Sequence, residues 1–288
     1  MGGVVEMQVV DGDAMAPLRV EQLFERYEGV MSRFLPDSEL SCLNASAGAP
    51  FVATPVLFDA VAAALAWAER TNGIFDPTVI DLLEAHGYDR PFDAGPGPVR
   101  EPPGRSDWRA IALDAATRTI RLPPGTRLDL GGIGKGFTVD RAIAMLGPDA
   151  NAFVNASGDL RAAGHGPEGE GWRVGVAHPR SPDDDVAVLV VRDRAVATSG
   201  AVKRNWRVGA ERYHHLIDVR AGGPARSDLL TVTVIADTAE TADVLASVVF
   251  LLGSRDGLDL AQAHDADVIG IREDGRVVTT PALAAVAA

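Results

Sequence analysis

The hydrophobic periodicity of this chain changes along its length, and that change constrains the fold more than any other feature. Residues 17–35 carry apolar side chains at steps of three and four residues, which predicts an amphipathic helix. A second helix is predicted to start after Thr54, a capping residue that Pro55 follows, and to end near residue 72. Beyond a Pro/Gly-rich stretch from 91 to 104, the pattern changes to short strand-like runs.

The second part of the chain is predicted to consist mostly of strands. The predicted strands lie at 111–113, 119–122, 128–130, 152–155, 172–177, 186–191, 213–217, 230–235, 268–272 and 277–280. Helices are predicted over 135–146 and 237–252. Asp274-Gly275 lies between the last two runs and is typical of a hairpin turn. The fold class is therefore mixed α/β, with helices packed on mostly antiparallel sheets. The length of 288 residues fits one domain over 1–288 with an internal boundary near 91–104.

Composition excludes several classes of function. The formal net charge of −13 disfavours electrostatic binding of nucleic acid or anionic lipid. The single cysteine, Cys42, excludes an intrachain disulfide and a cysteine-rich zinc site. The chain has neither a basic stretch before an apolar core at its start nor a run of apolar residues long enough to span a bilayer. As written, the chain is expected to be cytoplasmic and not inserted in a membrane, although an exported form with a trimmed leader would look the same.

A glycine cluster at 129–137 reads DLGGIGKGF. A glycine turn followed by a helix start and a lysine can present backbone N–H groups and a cation to phosphate. The segment is neither a Walker loop nor a complete dinucleotide fingerprint, because Gly136 follows Lys135 and Phe137 stands at the third glycine position. The alternative is a tight strand-to-helix turn with a solvated lysine.

Asp243 and Ser247 lie four residues apart on an otherwise apolar helix, so they share one face. A carboxylate and a hydroxyl are ligands that suit a hard cation such as magnesium. The alternative is an aspartate near a helix N-terminus and a serine bonded to a backbone carbonyl.

The segment 213–218 reads YHHLID and places two histidines on a predicted strand. Alternation sends His214 and His215 to opposite faces, so they are not expected to bind one metal together. One of them can act as a base, because the unperturbed pKa of histidine suits proton removal near neutral pH. A strand histidine bonded to the backbone is the alternative.

Three further segments contain residues that can contact a ligand. Residues 155–159 and 197–200 are interpreted as small-residue turns at strand ends. In Gly73-Ile74-Phe75-Asp76, the aspartate is unusual for its position just past a helix, whereas Phe75 is typical of a core residue.

Taken in order, these segments resemble the FAD:protein FMN transferases, the ApbE family, from Met1 to about Gly253. The matching segments are 32–40 with Leu43 and Asn44, 73–78, 129–136 with Asp140, 155–159, 197–200, 215–218 with 222–224, and 242–243 with Ser247.

The resemblance implies a T-fold-related α/β protein that moves the FMN moiety of FAD, its substrate, onto a threonine or serine hydroxyl of a target flavoprotein and releases AMP. The residues at FAD-contacting positions of the family are Met1, Phe34, Ile74, Phe75, Asp76, Asp129, Lys135 and Ile217. Gly132 (through its carbonyl), Asp243 and Ser247 fall at the Mg²⁺ ligands, and His215 falls at the base. Asp243 and His215 are thus the catalytic candidates.

Two other functions fit the same residues. Water in place of the protein hydroxyl would make the chain a magnesium-dependent FAD diphosphatase that gives FMN and AMP. A flavin-binding protein without turnover is the third alternative, which Asp243, Ser247 and His215 disfavour because binding alone needs no base.

Overall fold

The computed structural model describes residues 3–10, 12–102, 104 and 106–286, and the chain divides into two compact units. Unit 1 contains Phe24–Gly134 and Arg204–Ala225, and unit 2 contains Gly3–Leu23, Lys135–Lys203 and the chain from Arg226 onward. The stretch 91–104 lies inside unit 1.

The described residues form seven α-helices and sixteen strands. The helices are α1 Ala16–Met31, α2 Glu39–Asn44, α3 Pro55–Arg70, α4 Ile80–Ala85, α5 Gly134–Leu146, α6 Ala239–Leu252 and α7 Asp256–Ala263. The strands are β1 Val5–Val9, β2 Phe51–Val52, β3 Ala112–Asp114, β4 Thr119–Arg121, β5 Ala152–Ala156, β6 Asp159–Ala163, β7 Trp172–His178, β8 Ser181–Val191, β9 Arg194–Gly200, β10 Asn205–Val208, β11 Glu211–His214, β12 Ile217–Asp218, β13 Gly223–Pro224, β14 Leu229–Ala236, β15 Asp267–Arg272 and β16 Val277–Thr279.

Unit 1 combines helices with three small antiparallel sheets, β2-β4-β3, β10-β11 and β12-β13. Helix α3 starts as its sequence predicts: the Thr54 hydroxyl accepts a hydrogen bond from the N–H of Leu57, and Pro55 occupies the first turn. Leu57, Val61 and Ala64 are fully buried along one side of α3, at the spacing of an amphipathic helix.

Unit 2 is built on a seven-stranded sheet in the order β1-β5-β6-β9-β14-β15-β16, in which every neighbouring pair is antiparallel. The β7-β8 hairpin packs on one face, where Trp172 and Leu189 join Leu160 and Val196 of the sheet in one apolar cluster. Helix α6 lies against the central strands β9 and β14. Because side chains alternate along a strand, residues next to Leu160 and Val196 point to the opposite face from the hairpin.

Helices α5 and α6 cap each other. The carboxylate of Asp243 in α6 accepts a hydrogen bond from the N–H of Gly136 in the first turn of α5, at 3.1 Å. The carboxylate of Asp140 in α5 accepts hydrogen bonds from the N–H groups of Ala239 and Glu240, both at 2.9 Å. First-turn N–H groups have no partner within their own helix, so each aspartate stabilises the start of the other helix.

The close approach of these two helices explains why residue 136 is glycine. A Cβ atom at this position would lie 2.2 Å from the carbonyl oxygen of Ala239 and 2.8 Å from the Cα of Glu240. Both atoms belong to backbone, which cannot rotate away as a side chain can.

Gly136→Ala is therefore expected to lower the free energy of unfolding by roughly 1–3 kcal/mol, the usual cost of overpacking. Gly29 in α1 provides the matched control, because a Cβ there would meet no atom within 4 Å. Gly29→Ala is expected to raise stability by about 0.5–1 kcal/mol through helix propensity. Urea denaturation followed by circular dichroism measures both changes. A Gly136→Ala protein as stable as the unsubstituted chain would contradict this account of the helix contact.

The structure confirms the mixed α/β class and most of the predicted elements, and it corrects three of them. Residues 128–130 form no strand; the N–H of Asp129 instead donates to the carbonyl of Pro77. The predicted strand 213–217 is broken, because β11 ends at His214 and β12 begins at Ile217. Residues 197–200 are the end of β9 and pair with β14, so they are not a turn. The predicted turn at 157–158 is present, with Ser157 and Gly158 both at positive φ.

No helix in the described part of the chain is long and apolar enough to cross a membrane.

Candidate functional site

Unit 2 gathers polar side chains on the sheet face that α6 covers. Leu160 of β6 points into the hairpin cluster, so its neighbours Asp159 and Arg161 point to the helix side. The contacts agree: Arg161 donates to Asp140 of α5 at 2.7 Å, and Asp159 pairs with Lys135. Strand alternation thus places a buried carboxylate, 2% exposed, beside the N-terminus of α5.

Lys135 lies between two buried carboxylates. Its ammonium forms an ion pair with Asp159 and lies 3.6 Å from Oδ1 of Asp243. The lysine side chain is only 19% exposed, so the interpretation of a solvated lysine is wrong. One positive and two negative charges leave the cluster with a formal charge of −1, which is favourable for an additional cation.

Asp243 and Ser247 share a face of α6, as their spacing predicts. Asp243 is 3% exposed, and Ser247 is half-buried with its hydroxyl 3.1 Å from that of Ser199 in β9. Carboxylate and hydroxyl oxygens are ligands of the kind that Mg²⁺ prefers, so this donor set fits a hard cation. Among the residues that the structure describes, no group of three or more His, Cys, Asp and Glu side chains is arranged to hold a metal ion.

In unit 1, Asp129 lies in a buried ion pair that the sequence did not indicate. The Nε of Arg33 is 2.6 Å from Oδ2 of Asp129, and the two side chains are 6% and 9% exposed. The other carboxylate oxygen accepts from the N–H of Gly131 at 2.6 Å. Breaking such a pair leaves an uncompensated buried charge, so Arg33 fixes the start of the glycine turn.

The same arginine covers one aromatic face of Phe34. Its guanidinium carbon lies 4.1 Å from the Phe34 ring centroid and 4.8 Å from that of Tyr88, within cation–π range. Phe34 and Tyr88 also contact each other, with centroids 5.6 Å apart. Burial raises the pKa of the Tyr88 hydroxyl above its usual value.

Residues 74–76 and the glycine turn are also in unit 1. Phe75 is 8% exposed, and a Cβ at Gly132 would lie 3.2 Å from its ring, so the glycine permits this close contact. Asp76 is buried, and its Oδ1 accepts from the N–H and the hydroxyl of Thr78 at 2.8 and 2.6 Å. Ile74 is half-buried. The predicted FAD contact at Met1 lies outside the described residues.

The two neighbouring histidines have different surroundings. His214 is buried, its Nε2 lies 3.1 Å from the carbonyl oxygen of Ala225, and burial lowers its pKa, so it is neutral at physiological pH. His215 is half-buried in the bend after β11, and its Nδ1 lies 3.3 Å from the carbonyl oxygen of Arg204. A carbonyl can only accept, so Nδ1 is the protonated nitrogen in this contact and the neutral ring carries its lone pair on Nε2.

Ile217 has clear structural contacts. It is 6% exposed and packs with Leu82 and Leu83 of α4 and with Val219 in a small apolar cluster. This packing holds the segment after His215 against α4. The predicted role of Ile217 in FAD binding stays a prediction.

Sequence reasoning missed Arg33, Ser199 and the role of Asp159. Arg33 and Asp159 both stand inside the segments that match the family, but nothing in the local pattern shows their partners. Their buried charges are the feature that marks them, and burial becomes visible only in the structure.

Comparison with known proteins places these residues in a family. The family model described as the ApbE family matches residues 1–270. The FAD:protein FMN transferase of Treponema pallidum (strain Nichols) is 34% identical over 276 residues, which cover 88% of this chain and 76% of that protein.

Solved structures give the same result. The ApbE protein of Thermotoga maritima superposes with a TM-score of 0.85 at 28% identity, covering 99% of this chain and 95% of its own. The flavinyl transferase ApbE of Pseudomonas stutzeri, in its apo form, superposes with a TM-score of 0.83 at 25% identity, covering 100% of this chain and 94% of its own. The mixed α/β fold with its large antiparallel sheet is therefore the fold of these flavin transferases, and the chain belongs to the ApbE family.

Proposed function

We propose that this protein transfers the FMN moiety of FAD to a threonine or serine hydroxyl of an acceptor flavoprotein and releases AMP. Membership of the ApbE family and the names of its relatives support the reaction class. The observation that carries the proposal is the geometry of His215, whose Nδ1 is engaged by the Arg204 carbonyl. That contact selects the tautomer in which Nε2 can accept a proton.

The transfer forms one bond to phosphorus, breaks another and needs one group that accepts the hydroxyl proton. The hydroxyl oxygen forms a bond to the FMN-side phosphorus, the bond from that phosphorus to the bridging oxygen breaks, and the bridging oxygen leaves with AMP. The hydroxyl proton passes to Nε2 of His215. A serine or threonine hydroxyl is a weak nucleophile near neutral pH, so removal of this proton in the transition state is what the base contributes.

A magnesium ion is the second part of the proposal. Asp243 and Ser247 would supply oxygen ligands in unit 2, and Gly132 stays a predicted carbonyl ligand. When bound, Mg²⁺ neutralises charge on the diphosphate and on the leaving AMP. Lys135, held by Asp159 and close to Asp243, contributes a fixed positive charge near the same carboxylate.

The test of the proposed function separates transfer from hydrolysis. The protein is incubated with FAD, Mg²⁺ and a library of synthetic peptides that each contain one threonine or serine. Mass spectrometry follows the covalent addition of FMN, while chromatography measures AMP and free FMN. Transfer predicts labelled peptide in amounts equal to the AMP released. Release of FMN and AMP at the same rate with and without peptides, with no labelled peptide, would make the protein an FAD diphosphatase. No AMP under any condition would make it a flavin-binding protein.

Phe34→Ala is expected to raise the Kd for FAD by about 2- to 13-fold, because an aromatic contact contributes roughly 0.5–1.5 kcal/mol beyond its buried area. Phe34→Tyr keeps the ring and the cation–π contact with Arg33, so its Kd should stay within twofold of the unsubstituted value. Quenching of flavin fluorescence on titration measures both constants. If Phe34→Ala bound FAD as tightly as the unsubstituted protein, Phe34 would not contact the flavin.

A further inference from the structure

A small cavity in unit 1 is lined by two segments that come together from distant parts of the sequence. Its volume is about 150 Å³, and its side-chain walls are Tyr88, Phe92, Pro96, Asn205 and Trp206. Three of these five side chains are aromatic. Phe92 is exposed, at 38%, whereas Trp206 is buried, at 8%, so the cavity connects the surface with the interior of the unit.

The walls of this cavity are held in place. The indole N–H of Trp206 donates to the carbonyl of His86 at 2.9 Å, and its ring contacts the rings of Tyr88 and Tyr213 with centroids 5.5 and 6.4 Å apart. Backbone hydrogen bonds from Gly97 to Gly87 and from Arg100 to Ala85, both 2.8 Å, close the loop that carries Phe92 and Pro96. A site formed in advance loses little conformational entropy when a ligand binds.

The size of the cavity selects the kind of ligand. An apolar cavity of about 150 Å³ accommodates a benzene-sized group. Pockets for whole cofactors and drug-sized ligands measure about 300–1,000 Å³. The three-ring system of a flavin is therefore too large, whereas one leucine or phenylalanine side chain fits.

The cavity is connected to the base through the β10-β11 hairpin. Asn205 and Trp206 follow directly after Arg204, whose carbonyl oxygen contacts Nδ1 of His215. In the register of the hairpin, Asn205 pairs with His214 and Trp206 pairs with Tyr213. One short element thus carries both a cavity wall and the anchor of His215.

We infer that this cavity binds one aliphatic or aromatic side chain of the acceptor polypeptide, at a fixed number of residues from the hydroxyl that receives FMN. The inference rests on the proposed function and adds to it a site that selects the acceptor. Burial of an apolar side chain in the cavity would hold the neighbouring hydroxyl near His215. It would also cover the exposed ring of Phe92.

The experiment uses the full-length protein and synthetic peptides. Each peptide contains one threonine, and its other residues are alanine and glycine, with no serine. A leucine or phenylalanine is moved through every position within six residues of the threonine. We expect kcat/KM for FMN transfer to rise about tenfold or more for an apolar residue at one fixed offset, compared with alanine there.

Two variants test whether the cavity causes this preference. In Phe92→Ala and Pro96→Ala, the ratio of kcat/KM for the peptide with the apolar residue to kcat/KM for the all-alanine peptide is expected to fall to about twofold or less. Neither should change the Kd for FAD or transfer to the all-alanine peptide. Val99→Ala is the matched control, because Val99 is also exposed, at 37%, on the same loop but does not line the cavity. Thermal melts confirm that the three variants are folded.

Each contrary result has a distinct meaning. Transfer without any positional preference, or a preference that survives in both variants, would overturn the inference while leaving the proposed function intact. A weaker Kd for FAD in Phe92→Ala or Pro96→Ala would assign the cavity to the flavin and also overturn it. Release of AMP without any labelled peptide would refute the transferase function, and the inference with it.

Discussion

Replacing His215 by alanine is expected to lower the rate of FMN transfer by about 10²- to 10⁴-fold, the usual contribution of a general base. The imidazole is half-buried in a bend, so its removal leaves the β10-β11 hairpin intact. The Kd for FAD should change little, because the proton is removed from the acceptor and not from the flavin. Labelled peptide is followed by mass spectrometry, with the FAD affinity measured in parallel.

The other histidines supply the comparison. His214 is buried beside the Ala225 carbonyl, so His214→Ala is expected to lower the melting temperature while the folded fraction keeps its transfer rate. His165 is exposed in unit 2, and His165→Ala should leave both properties unchanged. If His215→Ala transferred FMN at the unsubstituted rate, the proton would have to be removed by another group.

Asp243→Asn is expected to reduce magnesium-dependent activity by roughly a thousandfold or more, because a bound metal contributes several kcal/mol to the transition state and each 1.36 kcal/mol is a factor of ten. The substitution removes charge without removing volume, and the asparagine carbonyl can still accept from the N–H of Gly136. Lys135 keeps its partner Asp159. The variant should therefore fold normally and lose affinity for Mn²⁺, which electron paramagnetic resonance measures as a probe of the proposed metal site.

Asp140 gives a matched control, because it caps α6 as Asp243 caps α5. Asp140→Asn keeps one acceptor oxygen for α6 but removes the charge that pairs with Arg161, so it is expected to lower stability by about 1–3 kcal/mol and to keep Mn²⁺ affinity. Unchanged Mn²⁺ affinity and magnesium dependence in Asp243→Asn would show that Asp243 caps α5 and is not a metal ligand. Equal losses of metal affinity in both variants would indicate a general disturbance of the α5-α6 contact instead.

The sequence by itself determined the elements whose information is local. Helix α3 begins after its Thr54 cap and Pro55, the helix predicted over 237–252 is α6 Ala239–Leu252, and β15 and β16 pair around Asp274-Gly275. Caps, turns and apolar periodicity depend on residues within a few positions of one another, so they can be interpreted without knowing the fold. The same order of local segments was enough to identify the family.

Only the tertiary structure decided the partners of the buried charges. Arg33 pairs with Asp129, and Lys135 lies between Asp159 and Asp243, at separations along the chain that no local pattern covers. Strand alternation places Asp159 on the helix face of the sheet, but the register of β6 must be known before that face is defined. Gly136 belongs to a recognisable glycine cluster, yet the atoms that exclude a Cβ there come from α6. Local propensity is encoded in neighbouring residues, whereas ion pairs and steric contacts depend on how distant elements pack.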